Sequence, residues 1–120
     1  MNARQQLGRA AEDAAAAYLT AQGHELILRN YHRRMGELDL IARRGEVLAI
    51  VEVRTRSSEA YGGAAASIDA AKRRRIIRAS RALLQQHAEL ARLHVRFDVI
   101  VVSDAGAERP RIEWIQHAFT

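Results

Sequence analysis

The most constraining part of this sequence is residues 36–56, which read G-E-L-D-L-I-A-R-R-G-E-V-L-A-I-V-E-V-R-T-R. They predict two strands, Glu37–Ala42 and Val47–Val53, joined by a tight turn. The second strand is almost continuously aliphatic, which is typical of a strand buried on both faces of a sheet. Gly45 lies in the turn, where it is free to take a positive φ. The stretch therefore predicts a buried hairpin.

Acidic residues occur on both strands of this hairpin. Side chains on a strand alternate between faces, so Glu37 shares a face with Asp39, and Glu52 shares one with Arg54. A two-residue turn at residues 45–46 would place Asp39 directly opposite Glu52. A turn that is longer or shorter by one residue would put the two pairs on opposite faces of the sheet.

Two converging carboxylates suggest a site for a hard divalent cation. Mg²⁺ typically takes one or two protein carboxylates, and water and substrate phosphate complete its coordination shell. A lone carboxylate inside an apolar strand such as A-I-V-E-V is otherwise costly. The alternative is that Glu52 is solvated at the end of the strand and pairs with Arg54 or Arg56.

The spacing D-x(12)-E-x-R resembles that of the PD-(D/E)xK nuclease superfamily, and E-V-R-T-R resembles the E-V-K-x-R segment of Holliday-junction resolvases. The whole chain more closely resembles the YraN-like family of small bacterial proteins. The matching segments are L-G-R-A-A-E-D-A-A-A-A-Y-L, G-E-L-D-L-I-A, V-E-V-R-T-R, Y-G-G, R-F-D-V-I-V-V and H-A-F. The resemblance implies a restriction-endonuclease-like core.

For individual residues, the resemblance implies a site for Mg²⁺ or Mn²⁺ at Asp39 and Glu52, which a helix glutamate, Glu12, approaches. Glu37 is a candidate accessory residue. The superfamily usually has lysine where this chain has Arg54, and an arginine can stabilise charge but cannot readily act as a general base. The implied activity is a metal-dependent endonuclease acting on DNA, with branched or single-stranded DNA as the substrate.

Two other functions stay open at this point. One is a catalytically silent module of the same fold that binds nucleic acid, and the other is an adaptor that binds another protein through apolar surfaces. For Glu12, the alternative to a metal site is a solvated helix residue or a partner of Arg9. Asp98, in the R-F-D segment, is expected to be an ion-pair partner rather than a metal ligand.

Around the hairpin, hydrophobic periodicity and turn residues predict the other elements of a single α/β domain over residues 1–120. These are helix 3–22, strand 25–30, a helix from Ser67 or Asp69 to about residue 87, and strands 95–102 and 111–117. The order is α-β-β-β-α-β-β, a central mixed sheet flanked by helices. In the first helix we expect a buried stripe of Ala10, Ala14, Tyr18 and Leu19. Residues 55–66 are predicted to form a loop, with Tyr61 packing against the helix that follows.

The net charge of +5 and the sequence pI near 10.6 favour a polyanionic partner, although a solvated basic face would have the same composition. Arg74, Arg78 and Arg81 follow helical spacing and would form a basic stripe. Arg56 is a further candidate for nucleic-acid contact. Lys72 is another, because it lies in the first helical turn, where the helix dipole disfavours a cation; a nearby anion, Asp69 or a ligand, is therefore expected.

Several classes of protein are disfavoured. The chain has no cysteine, so it cannot be a disulfide scaffold or hold zinc through thiolates. No apolar stretch reaches membrane-spanning length, and Glu12 and Asp13 interrupt the Ala-rich run that a secretory signal would need. We therefore expect a cytoplasmic protein that does not bind membranes. The resolvase resemblance adds a homodimer as a candidate assembly, because enzymes that cut two strands symmetrically act as dimers.

Overall fold

The computed structural model describes residues 2–56 and 68–120. Within them the helices and strands follow the predicted order α-β-β-β-α-β-β, with a 3₁₀ turn at Ala88–Leu90 after the second helix. Most of the loop predicted over residues 55–66 lies outside the described residues, and so does Tyr61.

Both helices begin at polar caps. Helix α1 (Ala3–Ala21) starts with a capping box, in which Asn2 Oδ1 accepts the Gln5 N–H at 2.8 Å and Gln5 Oε1 accepts the Asn2 N–H at 3.1 Å. Helix α2 (Ala70–Gln86) starts at Asp69, whose Oδ1 accepts the Lys72 N–H at 2.8 Å.

Neither of these helices, in the part of the chain that is described, combines the length and apolar character needed to cross a membrane.

Five strands form one mixed sheet in the order β1-β2-β3-β4-β5. They are β1 (Glu25–Arg33), β2 (Gly36–Arg44), β3 (Val47–Arg56), β4 (His94–Ser103) and β5 (Arg111–Phe119). Strands β3 and β4 are parallel and α2 lies between them in the chain, whereas the other neighbouring strands are antiparallel. The arrangement is an α/β fold consistent with a restriction-endonuclease-like core. Strand β1 is longer than predicted because its pairing with β2 continues to Arg33.

Strand β3 lies at the centre of the sheet and is buried on both faces, as its aliphatic sequence predicts. Leu48 and Ile50 belong to the core between the sheet and α2, and Ala49 and Val51 belong to the core between the sheet and α1. The alternation places Glu52 on the same face as Ile50, beneath α2.

The predicted buried stripe of α1 is shifted by one position. The helix buries Ala11, Ala15, Ala16 and Leu19. Of the predicted stripe, only Leu19 is fully buried, and Ala10, Ala14 and Tyr18 lie at its border or outside it. Because alanines fill adjacent positions of the helix, their hydrophobicity does not fix which ones face the sheet.

Asp98 is fully buried on β4, and its carboxylate accepts four hydrogen bonds from three residues. Arg96 donates through Nε and Nη2 at 2.9 Å each, Trp114 Nε1 donates at 3.0 Å, and the His117 N–H donates at 3.0 Å. A bidentate guanidinium pair of this kind compensates a buried charge. The prediction that Asp98 is an ion-pair partner is confirmed.

The contact between β2 and α2 is closest at Gly36, the first residue of β2. A Cβ added there would lie 2.8 Å from the backbone oxygen of Arg75 and 3.0 Å from its Cβ. A backbone atom cannot give way as the end of a flexible side chain can. The absence of a side chain at Gly36 therefore allows the first turns of α2 to lie against the hairpin.

We expect Gly36→Ala to lower the free energy of unfolding by about 1–3 kcal/mol, because overpacking would displace α2 or the start of β2. Gly8→Ala is the matched control. An added Cβ at Gly8 meets no heavy atom within 4 Å, and alanine is favoured over glycine in a helix interior by about 1 kcal/mol. Urea unfolding of both variants measures the difference, and a Gly36→Ala protein as stable as the unmodified chain would contradict this packing.

Candidate active site

The β2–β3 turn fixes which acids face each other. Arg44 pairs with Val47, so the turn contains the two residues 45–46, and the register continues to Leu40 opposite Val51. One further step in this register brings Asp39 opposite Glu52 on the same face, as predicted for a two-residue turn.

Asp39 lies where the backbone pairing of β2 with β3 ends. Among the described residues, β2 and β3 form no further backbone pair beyond Leu40 and Val51, and Asp39 Oδ2 instead accepts the Val53 N–H at 2.9 Å. This contact satisfies a backbone donor of β3 and holds the Asp39 carboxylate beside that of Glu52.

Glu52 is buried, with 8% of its surface exposed. Its pKa rises from the ordinary 4.5 to about 8, first because burial penalises the charged form, and then because Asp39 repels a second negative charge and accepts a hydrogen bond from the protonated carboxyl. The positive charges of Lys72 and Arg54 oppose this rise. Near neutral pH Glu52 therefore keeps its proton, which an incoming cation would displace.

Lys72 is the cation nearest to Glu52. Its Nζ lies 3.8 Å from Glu52 Oε1. The helix cap places it there: Asp69 accepts the backbone N–H of Lys72 and leaves the ammonium group to reach down to the sheet. The sequence led us to expect Asp69 or a ligand as the anion near Lys72. Asp69 caps the Lys72 backbone, whereas the carboxyl group nearest the Lys72 ammonium is that of Glu52. The alternative that Glu52 is a solvated residue paired with Arg54 or Arg56 is wrong, since Glu52 is buried and its salt bridge is with Lys72.

The acid pair opens into a cleft of about 470 Å³ between the first halves of the two helices. Its walls come from α1, β2, β3 and α2, and the lining residues are Arg4, Leu7, Gly8, Ala11, Glu12, Glu37, Asp39, Glu52, Val53, Arg54, Thr55 and Lys72. The cleft lies at the carboxyl end of β3, one of the two parallel strands. In open α/β sheets, ligands bind outside the carboxyl ends of such strands.

The other predicted acids line this cleft without joining the pair. Glu12 forms an ion pair with Arg29 at 3.3 Å, not with Arg9, and Glu37 Oε2 lies 2.8 Å from His32 Nδ1. Neither is hydrogen-bonded to Asp39 in the described residues.

Of the predicted basic residues, Arg54 and Lys72 line the cleft beside Glu52, and the others lie outside it. Arg56 points away from it, because its Nε donates to Ser103 Oγ at 3.3 Å and its guanidinium lies 3.7 Å from Glu113. The predicted stripe lies exposed on the outer side of α2 and consists of Arg74, Arg78 and Arg81.

The donor set fits a cation that needs few protein ligands. Within residues 2–56 and 68–120, no group of three or more acidic, histidine or cysteine side chains is arranged to hold a metal ion. Mg²⁺ usually binds through one or two carboxylates and keeps several waters, so Asp39 and Glu52 provide the minimum that it requires.

A model of the uncharacterised protein family UPF0102 matches residues 11–102. The chain belongs to this family. The YraN-like membership predicted from the sequence is thereby confirmed. All residues of the acid pair and the cations beside it fall within the matched range.

Relatives in the UPF0102 family match nearly the full chain. A UPF0102 protein of Pseudomonas paraeruginosa is 46% identical over 113 residues, which is 93% of this chain and 90% of the relative. One from Xanthomonas euvesicatoria pv. vesicatoria is 47% identical over 117 residues, covering 98% and 93%. One from Ectopseudomonas mendocina is 44% identical over 119 residues, covering 99% and 98%.

Sequence reasoning did not place Lys72 beside the acid pair, nor did it include Arg4 and Thr55 in the cleft. For Lys72 a signal was present, namely a cation in the first turn of a helix. For Arg4 nothing in the sequence distinguishes it from the other arginines, because its position depends on how α1 packs across the sheet.

The raised pKa of Glu52 predicts that the protein is less stable at pH 8 than at pH 5. The folded state holds a proton at Glu52 up to about pH 8, whereas the unfolded chain releases it near pH 4.5. Between these values the folded state binds more protons, so stability falls as pH rises, by at most about 1.4 kcal/mol per pH unit.

A glutamine side chain cannot ionise, so Glu52→Gln should remove the pH-dependent contribution of Glu52 to the free energy of unfolding. Urea unfolding at pH 5, 6.5 and 8 is therefore expected to show a shallower decline for Glu52→Gln than for the unmodified chain. Parallel pH profiles for the two proteins would mean that Glu52 is not held protonated.

Proposed function

We propose that this protein is a metal-dependent endonuclease that hydrolyses DNA phosphodiester bonds, with branched or single-stranded DNA as the expected substrate. The observation that carries the proposal is the Asp39–Glu52 pair, in which Glu52 is buried and Asp39 half-buried, facing Lys72 in an open cleft. A buried acid with a strongly raised pKa, next to a second acid and a cation, is typical of functional sites.

Asp39 and Glu52 are the residues that would hold Mg²⁺ or Mn²⁺, and Glu12 lies on the same cleft. When bound, the ion would polarise the phosphodiester and lower the pKa of an attacking water. Carboxylate and phosphate oxygens are suited to such a hard cation. The hydrogen bond from the Val53 N–H supports this role, because it fixes the direction of the Asp39 carboxylate before any ligand arrives.

Two cations beside the pair have different chemical capacities. Arg54 can donate two hydrogen bonds to phosphate oxygens and stabilise the charge that develops on them, but it keeps its proton. Lys72 can stabilise charge and can also give a proton to a leaving oxygen. Lys72 therefore supplies the lysine chemistry that Arg54 cannot, although it comes from α2 instead of β3.

A catalytically silent nucleic-acid-binding module is the second candidate. It is favoured by the exposed stripe Arg74, Arg78 and Arg81, which could contact phosphates without any metal. This candidate leaves the burial of Glu52 beside Asp39 without a purpose, since burial and the charge of Asp39 disfavour the ionised form of Glu52 in spite of Lys72. We therefore place the endonuclease first.

The test is cleavage of end-labelled linear, flapped and four-way-junction DNA in Mg²⁺ or Mn²⁺. We expect metal-dependent cutting that Asp39→Asn and Glu52→Gln abolish. Lys72→Met should slow it by roughly 10²–10³-fold, the usual effect of removing one group that stabilises a transition state.

Glu46→Gln is the matched control, because Glu46 is an exposed acid at the opposite end of the same hairpin and its loss should leave cutting unchanged. DNA binding without cutting in the unmodified protein would refute the endonuclease and favour the silent module. Cutting that persists in Asp39→Asn would place the chemistry elsewhere.

A further inference from the structure

A second basic cavity adjoins the acid cleft on the far side of Lys72. It has a volume of about 270 Å³, and its lining residues are His32, Arg33, Gly36, Glu37, Lys72 and Arg75. Lys72 and Glu37 line both cavities, so the two are continuous along the N-terminal half of α2. We call this second cavity the notch.

The notch is built by the close packing of α2 on the hairpin. Gly36 brings the backbone of Arg75 against the start of β2. Lys72 and Arg75 are three residues apart on the helix, so their side chains are neighbours on one face. The acid pair, Lys72 and Arg75 therefore follow one another along one continuous surface.

Arg33 is held at the edge of the notch by uncharged groups. Its guanidinium lies 4.2 Å from the centre of the Tyr31 ring, donates to the His32 carbonyl at 2.7 Å, and donates to Gln86 Oε1. Stacking and hydrogen bonds to neutral acceptors restrict this side chain but leave its charge uncompensated.

The charge balance of the notch is positive. The notch is lined by three cations, Lys72, Arg33 and Arg75, and by one carboxylate, Glu37, which is already bonded to His32. Outside the notch, Lys72 also pairs with Glu52, and Arg75 interacts electrostatically with Asp69. Within the described residues, Arg33 and Arg75 form no salt bridge with a carboxylate. A site of this composition suits a phosphate group, which accepts several hydrogen bonds from guanidinium and ammonium groups.

We propose that the notch holds the phosphate adjacent to the one bound at Asp39 and Glu52, so that one nucleic-acid strand crosses the first turns of α2. The inference rests on the proposed function for the position of the first phosphate. The ligand of the notch is a phosphodiester strand, because a strand can place one phosphate in the notch and the next in the acid cleft that adjoins it. A free phosphate would occupy only one of the two cavities. The strand path runs over Lys72 and Arg75 and leaves the stripe of Arg74, Arg78 and Arg81 to one side.

The test compares Arg75→Gln with Arg81→Gln, two exposed positions on one helix with the same change of charge. Binding of a labelled single-stranded oligonucleotide is measured by fluorescence anisotropy in EDTA over a series of salt concentrations. Arg75→Gln should weaken binding several-fold more than Arg81→Gln and reduce the slope of log K against log salt by about 0.7, the contribution of one phosphate contact on a single strand. Equal effects, or a larger effect of Arg81→Gln, would overturn the proposal.

A second arm separates a strand from a free phosphate. Thymidine 5′-monophosphate, inorganic phosphate and a 5′-phosphorylated dithymidine are titrated by NMR in Ca²⁺, a cation that also takes carboxylate and phosphate oxygens and can hold the first phosphate at the acid pair. The dinucleotide should bind more tightly than the others, and Arg75→Gln should remove that advantage while Arg81→Gln keeps it. Equal affinity for all three ligands would identify a free-phosphate site and refute the strand path. Because no cleavage is required, the absence of DNA cleavage alone would leave these results unchanged.

Discussion

The hydrogen bond from the Val53 N–H to the Asp39 carboxylate is the contact on which the candidate site depends. It forms where the backbone pairing of β2 and β3 stops, so that the Asp39 side chain, instead of a backbone carbonyl of β2, accepts the hydrogen bond of a β3 amide. The two-residue turn sets the register, the aliphatic β3 buries Glu52, and the register then brings the two acids together. A turn longer or shorter by one residue would move Asp39 to the other face of the sheet and separate its carboxyl group from that of Glu52.

Around this contact, opposing electrostatic effects act on Glu52. Burial raises the pKa of Glu52, whereas the positive charges of Lys72 and Arg54 act to lower that pKa. Lys72 lies against its own helix dipole, which is unfavourable unless an anion lies beneath it. The close approach at Gly36 is what lets the first turns of α2 lie near that anion. The close contact between Gly36 and Arg75 thus contributes both to the stability of the fold and to the position of Lys72 in the cleft.

The hairpin and the order of elements could be predicted because they depend on local patterns. Alternation, an aliphatic run and a Gly-containing turn specify β2 and β3, and Asp69 marks the start of α2. The face of α1 could not be fixed, since its alanines are equivalent in hydrophobicity. The meeting of Lys72 with Glu52, and the notch beside Arg75, depend on how α2 packs across the sheet, a long-range relation that no local pattern encodes.

The most direct test of the central claim is a titration with Mn²⁺ at pH 8, with the free ion measured by electron paramagnetic resonance. A metal site at Asp39 and Glu52 predicts one bound ion per chain, lost in both Asp39→Asn and Glu52→Gln and retained in Glu46→Gln. Such a site also predicts weaker binding at pH 6, where Glu52 keeps its proton. Absence of binding in the unmodified protein, or binding that survives both substitutions, would contradict a metal site at this pair.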